Sequence, residues 1–270
     1  MVAIMDPAVL NAAEILEGLG TTRIGRTVRV LEETASTNDV ALAAAETDPD
    51  ADGLAVFAEF QTAGRGRQGR SWHAPRGASL LCSVLAIGRD DVARAGILTL
   101  IAGVAACDAV REATDVWPVL RWPNDLFVRG RKLGGVLVES RPVRDGRRAW
   151  VVGVGINCYQ HANHFPPEIR DRATSLELES SHPVDRTRLA RELLRELDRW
   201  LAPGEEIDAE RIHRAWLERD ESIGHRVRIL YDGRMFEGRT LDVDPQAGLL
   251  VQLDDGVRRW FEAARTQIQT

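Results

Sequence analysis

The sequence predicts an α+β domain followed by a small all-β domain. Short Val- and Phe-rich runs alternate with stretches of helical spacing up to Asn157, and several runs are close enough to form antiparallel pairs. From Ile223 the texture changes to short alternating strands broken at Asp232-Gly233, Asp244-Pro245, Gly248 and Asp255-Gly256. That density of hairpin signals suits a small barrel. The expected division is an N-terminal helical segment over 1–25, a larger domain over 26–221 and the small domain over 222–270.

Apolar residues at helical spacing predict a short helix within 7–19, ended by Gly18 and Gly20. Residues 28–31 read as the first strand, and Ser36 or Thr37 can cap a helix through Val40, Ala41, Leu42 and Ala45. Buried strands are expected at 53–60 and 78–87, with Asp90 or Asp91 capping a long apolar helix to about Ala113. Residues 126–128 and 133–139 pair through a turn at Gly130, and the chain from Val138 pairs with 149–157 through Asp145 and Gly146. Helical spacing returns at Leu189, Leu193, Leu194, Leu197 and Leu201 after Pro183 and Asp185, and a last helix covers about 209–218. The Arg/Glu-rich run 185–199 reads as the solvated face of its helix.

The formal net charge is −6 over 270 residues, so a basic function must be local, and a protein that coats nucleic acid is disfavoured. Cys82, Cys107 and Cys158 stand in apolar surroundings without a CxxC pair, and read as small buried hydrophobes in a reducing compartment. The longest membrane-like run, 95–107, falls short of the roughly 20 residues of a spanning helix. No secretory signal opens the chain, and the cytoplasm is the expected location.

Residues 61–74 read QTAGRGRQGRSWHA. Glycine lets backbone N–H groups approach an anion, and arginine supplies planar charge for phosphate or carboxylate. No GKS or GKT follows, so this is not a P-loop. Gly64, Gly66 and Gly69 nominally satisfy GxGxxG, yet Ser71-Trp72-His73-Ala74-Pro75 follows where a helix should open. Alone, the run is as well explained by a flexible surface loop. Ser36-Thr37-Asn38 could cap a helix or hydrogen-bond a compact polar ligand. Arg121-Trp122-Pro123-Asn124-Asp125 interrupts an apolar strand and could be a simple turn. In Lys132-Leu133-Gly134-Gly135-Val136-Leu137-Val138-Glu139 a lysine enters an apolar strand beside two glycines, and Val152-Gly153-Val154-Gly155-Ile156-Asn157 leaves Asn157 available to a ligand.

These five segments, in this order and at about this spacing, resemble the biotin protein ligases, and the terminal β domain resembles their SH3-like domain. The resemblance covers nearly the whole chain. It implies a mixed, largely antiparallel sheet packed with helices, as in class II aminoacyl-tRNA synthetases and biotin synthetases. It implies that ATP and biotin are substrates, that Mg2+ is needed, and that the product biotinyl-5′-AMP passes biotin to a lysine of a carrier. That carrier is the biotin carboxyl carrier protein or domain of an acyl-CoA or pyruvate carboxylase.

Carried onto this sequence, the resemblance implies that Ser36, Thr37, Asn38, Gln61, Arg65, Gly66, Arg67 and Lys132 bind biotin. It puts Arg65, Arg67, Arg70, Trp72, Asn124 and Asn157 on the nucleotide, and gives catalytic work to Lys132, Arg67 and Asp125, with no metal ligand assigned. The Gly-Arg loop is expected to be mobile when empty and ordered over the adenylate. Two departures stand out. Arg121 replaces a common lysine, and the DNA-binding winged helix of some members would need more chain than precedes Val28, so neither DNA binding nor a membrane is expected. The alternatives are a lipoate or octanoyl ligase, whose Arg-Arg-x-x-Gly-Gly-Gly signature is absent, and a non-catalytic nucleic-acid-binding module, whose aromatics should interleave with the arginines.

Overall fold

The computed structural model describes residues 9–48, 50–89, 94–201 and 208–269. Helix α1 (Ala12–Leu16) starts where Asn11 accepts from the backbone N–H of Ala13 and Glu14. It lies within the 7–19 expected and ends, as expected, before Gly18 and Gly20, both at positive φ. The beginning of that span and the cap expected at Asp90 or Asp91 lie outside the described residues.

Then follow β1 (Val28–Leu31), α2 (Thr37–Thr47), β2 (Ala55–Ala58), β3 (Ser79–Arg89) and α3 (Arg94–Ala113). Next come β4 (Val119–Arg121), β5 (Asp125–Val128), β6 (Arg131–Pro142) and β7 (Arg147–Asn157). A single turn α4 (Leu176–Glu179), then α5 (Arg186–Leu201) and α6 (Ala209–Leu217), complete the larger domain. Its seven strands form one sheet in the order β1-β2-β3-β7-β6-β5-β4. Only β1 and β2 run parallel; every other neighbouring pair is antiparallel. RWPND is the corner of the β4–β5 hairpin, with Arg121 opposite Asp125.

Side chains alternate across a strand, so the sheet has two faces. On one, Leu80, Cys82 and Val84 of β3 join Val152 and Val154 of β7 under α3 and α5. On the other, Leu85, Val151 and Ala149 pack against Ala41, Leu42 and Ala44 of α2. Helix α2 covers one end of this second face, and the rest forms the floor of a pocket.

The expectation of a solvated charged face on α5 fails at three residues. Arg186, 2% exposed, pairs with Glu59, 5% exposed, at 2.8 Å. Glu196 is also buried. The Asp198 carboxylate accepts from the backbone N–H of Thr22, Arg23 and Ile24, which lowers its pKa although burial works against this. Through those bonds, and through Leu10, Ile15, Leu19 and Ile24 in the main core, the N-terminal segment packs into the larger domain. Arg186 lies in helical phase with Leu189, Leu193 and Leu197, so the spacing places it on the apolar face, but nothing local reveals its partner Glu59.

The C-terminal strands β8 (Arg226–Tyr231), β9 (Arg234–Asp244), β10 (Gly248–Leu253), β11 (Arg258–Phe261) and β12 (Thr266–Gln269) form one antiparallel sheet in the order β11-β10-β9-β8-β12. Asp232 and Gly233 both take positive φ in the two-residue turn between β8 and β9, as the sequence signal requires. All three cysteines are free and buried, and burial pushes the Cys107 and Cys158 thiols up to about 12. They are packing residues. Among the described residues no helix is long and apolar enough to cross a membrane.

Candidate active site

A cavity of about 440 Å³ lies on the α2 face of the sheet and is lined by residues from all five sequence segments. Every residue singled out from the sequence lines it: Ser36, Thr37, Asn38, Gln61, Arg65, Gly66, Arg67, Arg70, Trp72, Asn124, Asp125, Lys132 and Asn157.

At one end stands the start of α2. Ser36 occupies the N-cap position but makes no capping hydrogen bond with its side chain. Gln61 caps the helix instead: its Oε1 accepts from the Thr37 backbone N–H at 2.8 Å and lies 3.0 Å from Thr37 Oγ1. Ser83 Oγ, from the floor strand β3, is 2.6 Å from both Thr37 Oγ1 and Asn38 Oδ1. Asn38 Nδ2 donates to Glu139 at 2.7 Å. The two glycines of VGVGIN make room for this. A Cβ on Gly153 would stand 2.5 Å from Asn38 Oδ1, and one on Gly155 would stand 2.9 Å from the Trp72 ring.

The Gly-Arg segment is a tight reverse loop in which Arg65 bridges Ser71, the Gly66 N–H donates to Arg70 O, and the Trp72 N–H donates to Gly64 O. Its base is clamped by charge. Arg65 donates to both oxygens of Asp39, at 2.9 and 2.7 Å, and to Glu139 at 3.0 Å. Bonding to Arg65 lowers the Asp39 pKa, and bonding to Asp39 raises that of Arg65. So the guanidinium expected to face a ligand is engaged by protein carboxylates. The loop tip is tied to the C-terminal domain: Arg67 donates to the Ala263 carbonyl and, at 3.3 Å, to Asn124 Oδ1, while Gln68 donates to Thr266 O at 3.1 Å. Burial pulls the Arg67 pKa below its usual value, partly offset by nearby Asp125.

Across the cavity, Lys132 Nζ donates to Asp125 Oδ1 at 2.6 Å and sits 6.0 Å from the centre of the Trp72 ring. A bridge between Lys132 and Ala173 and the Thr174 N–H to Lys132 O bond at 2.9 Å fix the lysine backbone. Gly135 keeps this corner open, since a Cβ there would be 3.1 Å from Asp125 Oδ1. Asn124 Nδ2 donates to Val136 O, and Asn157 bonds Thr174 O and Gln160, so both amides are positioned by the fold. The Trp72 indole N–H is buried without a protein partner, its edge packed over Gly155. Arg121 pairs with Glu221 at 2.5 Å and stacks on Phe127.

The family models divide the chain as the two sheets do. Residues 30–157 match the biotin/lipoate A/B protein ligase family, and residues 222–265 match the biotin protein ligase C-terminal domain. A biotin–[acetyl-CoA-carboxylase] ligase of Mycobacterium tuberculosis is 39% identical over 239 residues, covering 84% of each protein. The chain belongs to the biotin protein ligase family. Another relative is the bifunctional ligase/repressor BirA of Bacillus subtilis, 30% identical over 96% of this chain and 80% of that protein. Among solved structures, the ligase of Aquifex aeolicus in complex with biotin and ATP is 25% identical with a TM-score of 0.69, covering 90% of this chain and 99% of that one. A second structure of the Aquifex ligase shares the fold with a TM-score of 0.73 at 23% identity, over 90% of this chain and 98% of that one.

Sequence reasoning missed Ser83, Glu139 as a shared acceptor, and the Ala263 and Thr266 carbonyls. A lone serine within the apolar run 80–87 was the available signal for Ser83. Backbone carbonyls from a distant domain leave no sequence signal.

Proposed function

We propose that this protein activates biotin with ATP as biotinyl-5′-AMP and transfers it to a specific lysine of a biotin carboxyl carrier domain of an acyl-CoA or pyruvate carboxylase. One observation carries the reading: a single cavity unites a neutral polar end at Thr37, Asn38 and Gln61 with a cationic middle at Arg67 and Lys132. A compact uncharged ring with a carboxylate tail suits that gradient. The ureido ring of biotin goes to the α2 end, its carboxylate to Lys132, and the nucleotide to Trp72, Arg70, Asn124 and Asn157.

The biotin carboxylate attacks the α-phosphorus and pyrophosphate leaves; an acceptor amine then attacks the mixed anhydride and AMP leaves. Both transition states gather negative charge beside one phosphate and one carbonyl oxygen, so preplaced cations do most of the work. Lys132, held by Asp125, and Arg67, held by Ala263 and Asn124, are oriented before the substrates arrive. Asp125 also orients the incoming ammonium. The two nucleophiles come from the substrates, so none of the six histidines is needed.

Asp125 is the only carboxylate among the described lining residues, and no group of three His, Cys, Asp or Glu that could hold a metal occurs among the described residues. This donor set fits Mg2+ carried in by the triphosphate, which Asp125 would hold through a carboxylate oxygen. When bound it neutralises the departing pyrophosphate. The test is incubation with ATP, Mg2+ and either biotin or lipoate, followed by pyrophosphate release and adenylate mass. Adenylate from biotin is expected; product from lipoate alone overturns the reading.

A further inference from the structure

Of the 35 lysines and arginines in this chain, only Lys132 is a lysine. The same bias holds at the cavity, where the other described basic linings apart from histidine are Arg65, Arg67, Arg70, Arg121 and Arg172. The two cations are not chemically equivalent. A guanidinium stays protonated and offers donors only, whereas an alkylamine that loses its proton exposes a nucleophilic lone pair. An acyl-adenylate cannot distinguish an amine on its carrier from one on its maker.

We propose that the protein is built to be unreactive toward its own acyl-adenylate: its surface and pocket rim carry charge on arginine, and its one side-chain amine is engaged by Asp125. This rests on the ligase reading. The excluded side reaction is attack of a neutral lysine Nζ on the mixed-anhydride carbonyl. A C–N bond would form, the C–O bond to phosphate would break, AMP would leave, and the amine proton would pass to water. At Lys132 it would also destroy the site. Lys132 Nζ donates to Asp125 Oδ1 at 2.6 Å, which points it at a carboxylate and away from an incoming carbonyl. Arg172 marks a vulnerable place outside the residues assigned to the substrates, being exposed on the rim while its guanidinium donates to the nearby Glu168 carbonyl at 3.0 Å.

The experiment treats the full chain with synthetic biotinyl-5′-AMP without acceptor and follows intact mass and peptide maps. Three proteins are compared: the unaltered chain, Arg172→Lys at the rim, and Arg188→Lys, exposed on α5 behind the opposite face of the sheet. No side-chain adduct is expected on the unaltered chain. The new lysine at 172 should be acylated about tenfold or more faster than that at 188, because the pocket presents the anhydride at high local concentration. An adduct on Lys132 in the unaltered chain, or a lysine at 172 labelled no faster than one at 188, overturns the proposal. Quenching of tryptophan fluorescence by the adenylate is read in parallel. Failure to bind there sinks the ligase reading itself, whereas binding with the wrong labelling pattern sinks only this inference.

Discussion

At the α2 end of the pocket, Ser36, Thr37, Asn38 and Ser83 are each at most 4% exposed, and neutral hydrogen bonds tie Thr37, Asn38, Ser83 and Gln61 to one another. At the loop end, Gln68, Gly69, Arg70 and Ser71 are exposed. That end is held by the Arg65 ion pairs and by two side-chain bonds to carbonyls of the C-terminal domain. Buried neutral networks are costly to break singly, because each lost partner strands another group. Exposed ion pairs contribute about 0–1 kcal/mol each and open readily. A rigid end that recognises and a releasable end that closes is the arrangement expected of a site that must admit two substrates and then exclude water.

The largest effect should come from the cation between the two ends. Lys132→Ala is expected to slow adenylate formation by about 10²–10³-fold, the usual scale for removing a preplaced stabiliser. Pyrophosphate release measures it, with circular dichroism to show an intact fold. Full activity would remove Lys132 from the mechanism.

Gly153→Ala tests the rigid end. Its Cβ would meet Asn38 Oδ1 at 2.5 Å and Leu137 O at 3.1 Å. Such overpacking costs about 1–3 kcal/mol. Thermal unfolding should show the loss, and KM for biotin should rise more than KM for ATP; an equal rise would place the biotin ring elsewhere.

The releasable end should respond to Asp39→Asn. Amide exchange over 64–72 should quicken by up to about fivefold, in line with one exposed pair, and slow again when biotin and ATP are added. Glu139→Gln should disturb both ends, since Glu139 accepts from Asn38 and from Arg65. If it alters loop exchange but leaves biotin binding unchanged, the two ends are not coupled through Glu139.

The smallest effect is that of pH. The Asp39 carboxyl is lowered from 3.8 in the folded state, so its contribution is complete above that value and is lost as pH falls through the folded pKa. Loop protection, corrected for intrinsic exchange, should therefore be flat from neutrality to about pH 4 and weaken only below it. Weakening between pH 5 and 7 would point to a histidine instead of this clamp.

Local chemistry in the sequence determined most elements of the fold. Val28–Leu31 was legible from its β-branched residues, Asp232-Gly233 from the positive φ its turn requires, and α5 from its leucine spacing. The thirteen pocket residues were legible because five motifs, each ambiguous alone, stood in order. Sequence could not tell which charges are spoken for. Arg65 and Arg67 look alike in GRGR, yet one is clamped by Asp39 and Glu139 and the other, half-buried, donates to Ala263 and Asn124. On α5 the leucine spacing places Arg186 on the apolar face and Arg188 opposite it, but the Glu59 that lets a guanidinium lie in the core comes from far along the chain. A side chain's period along its own element is local, but the partner that decides its charge state, burial and freedom to meet a ligand is brought from far along the chain. Only the tertiary structure makes that choice.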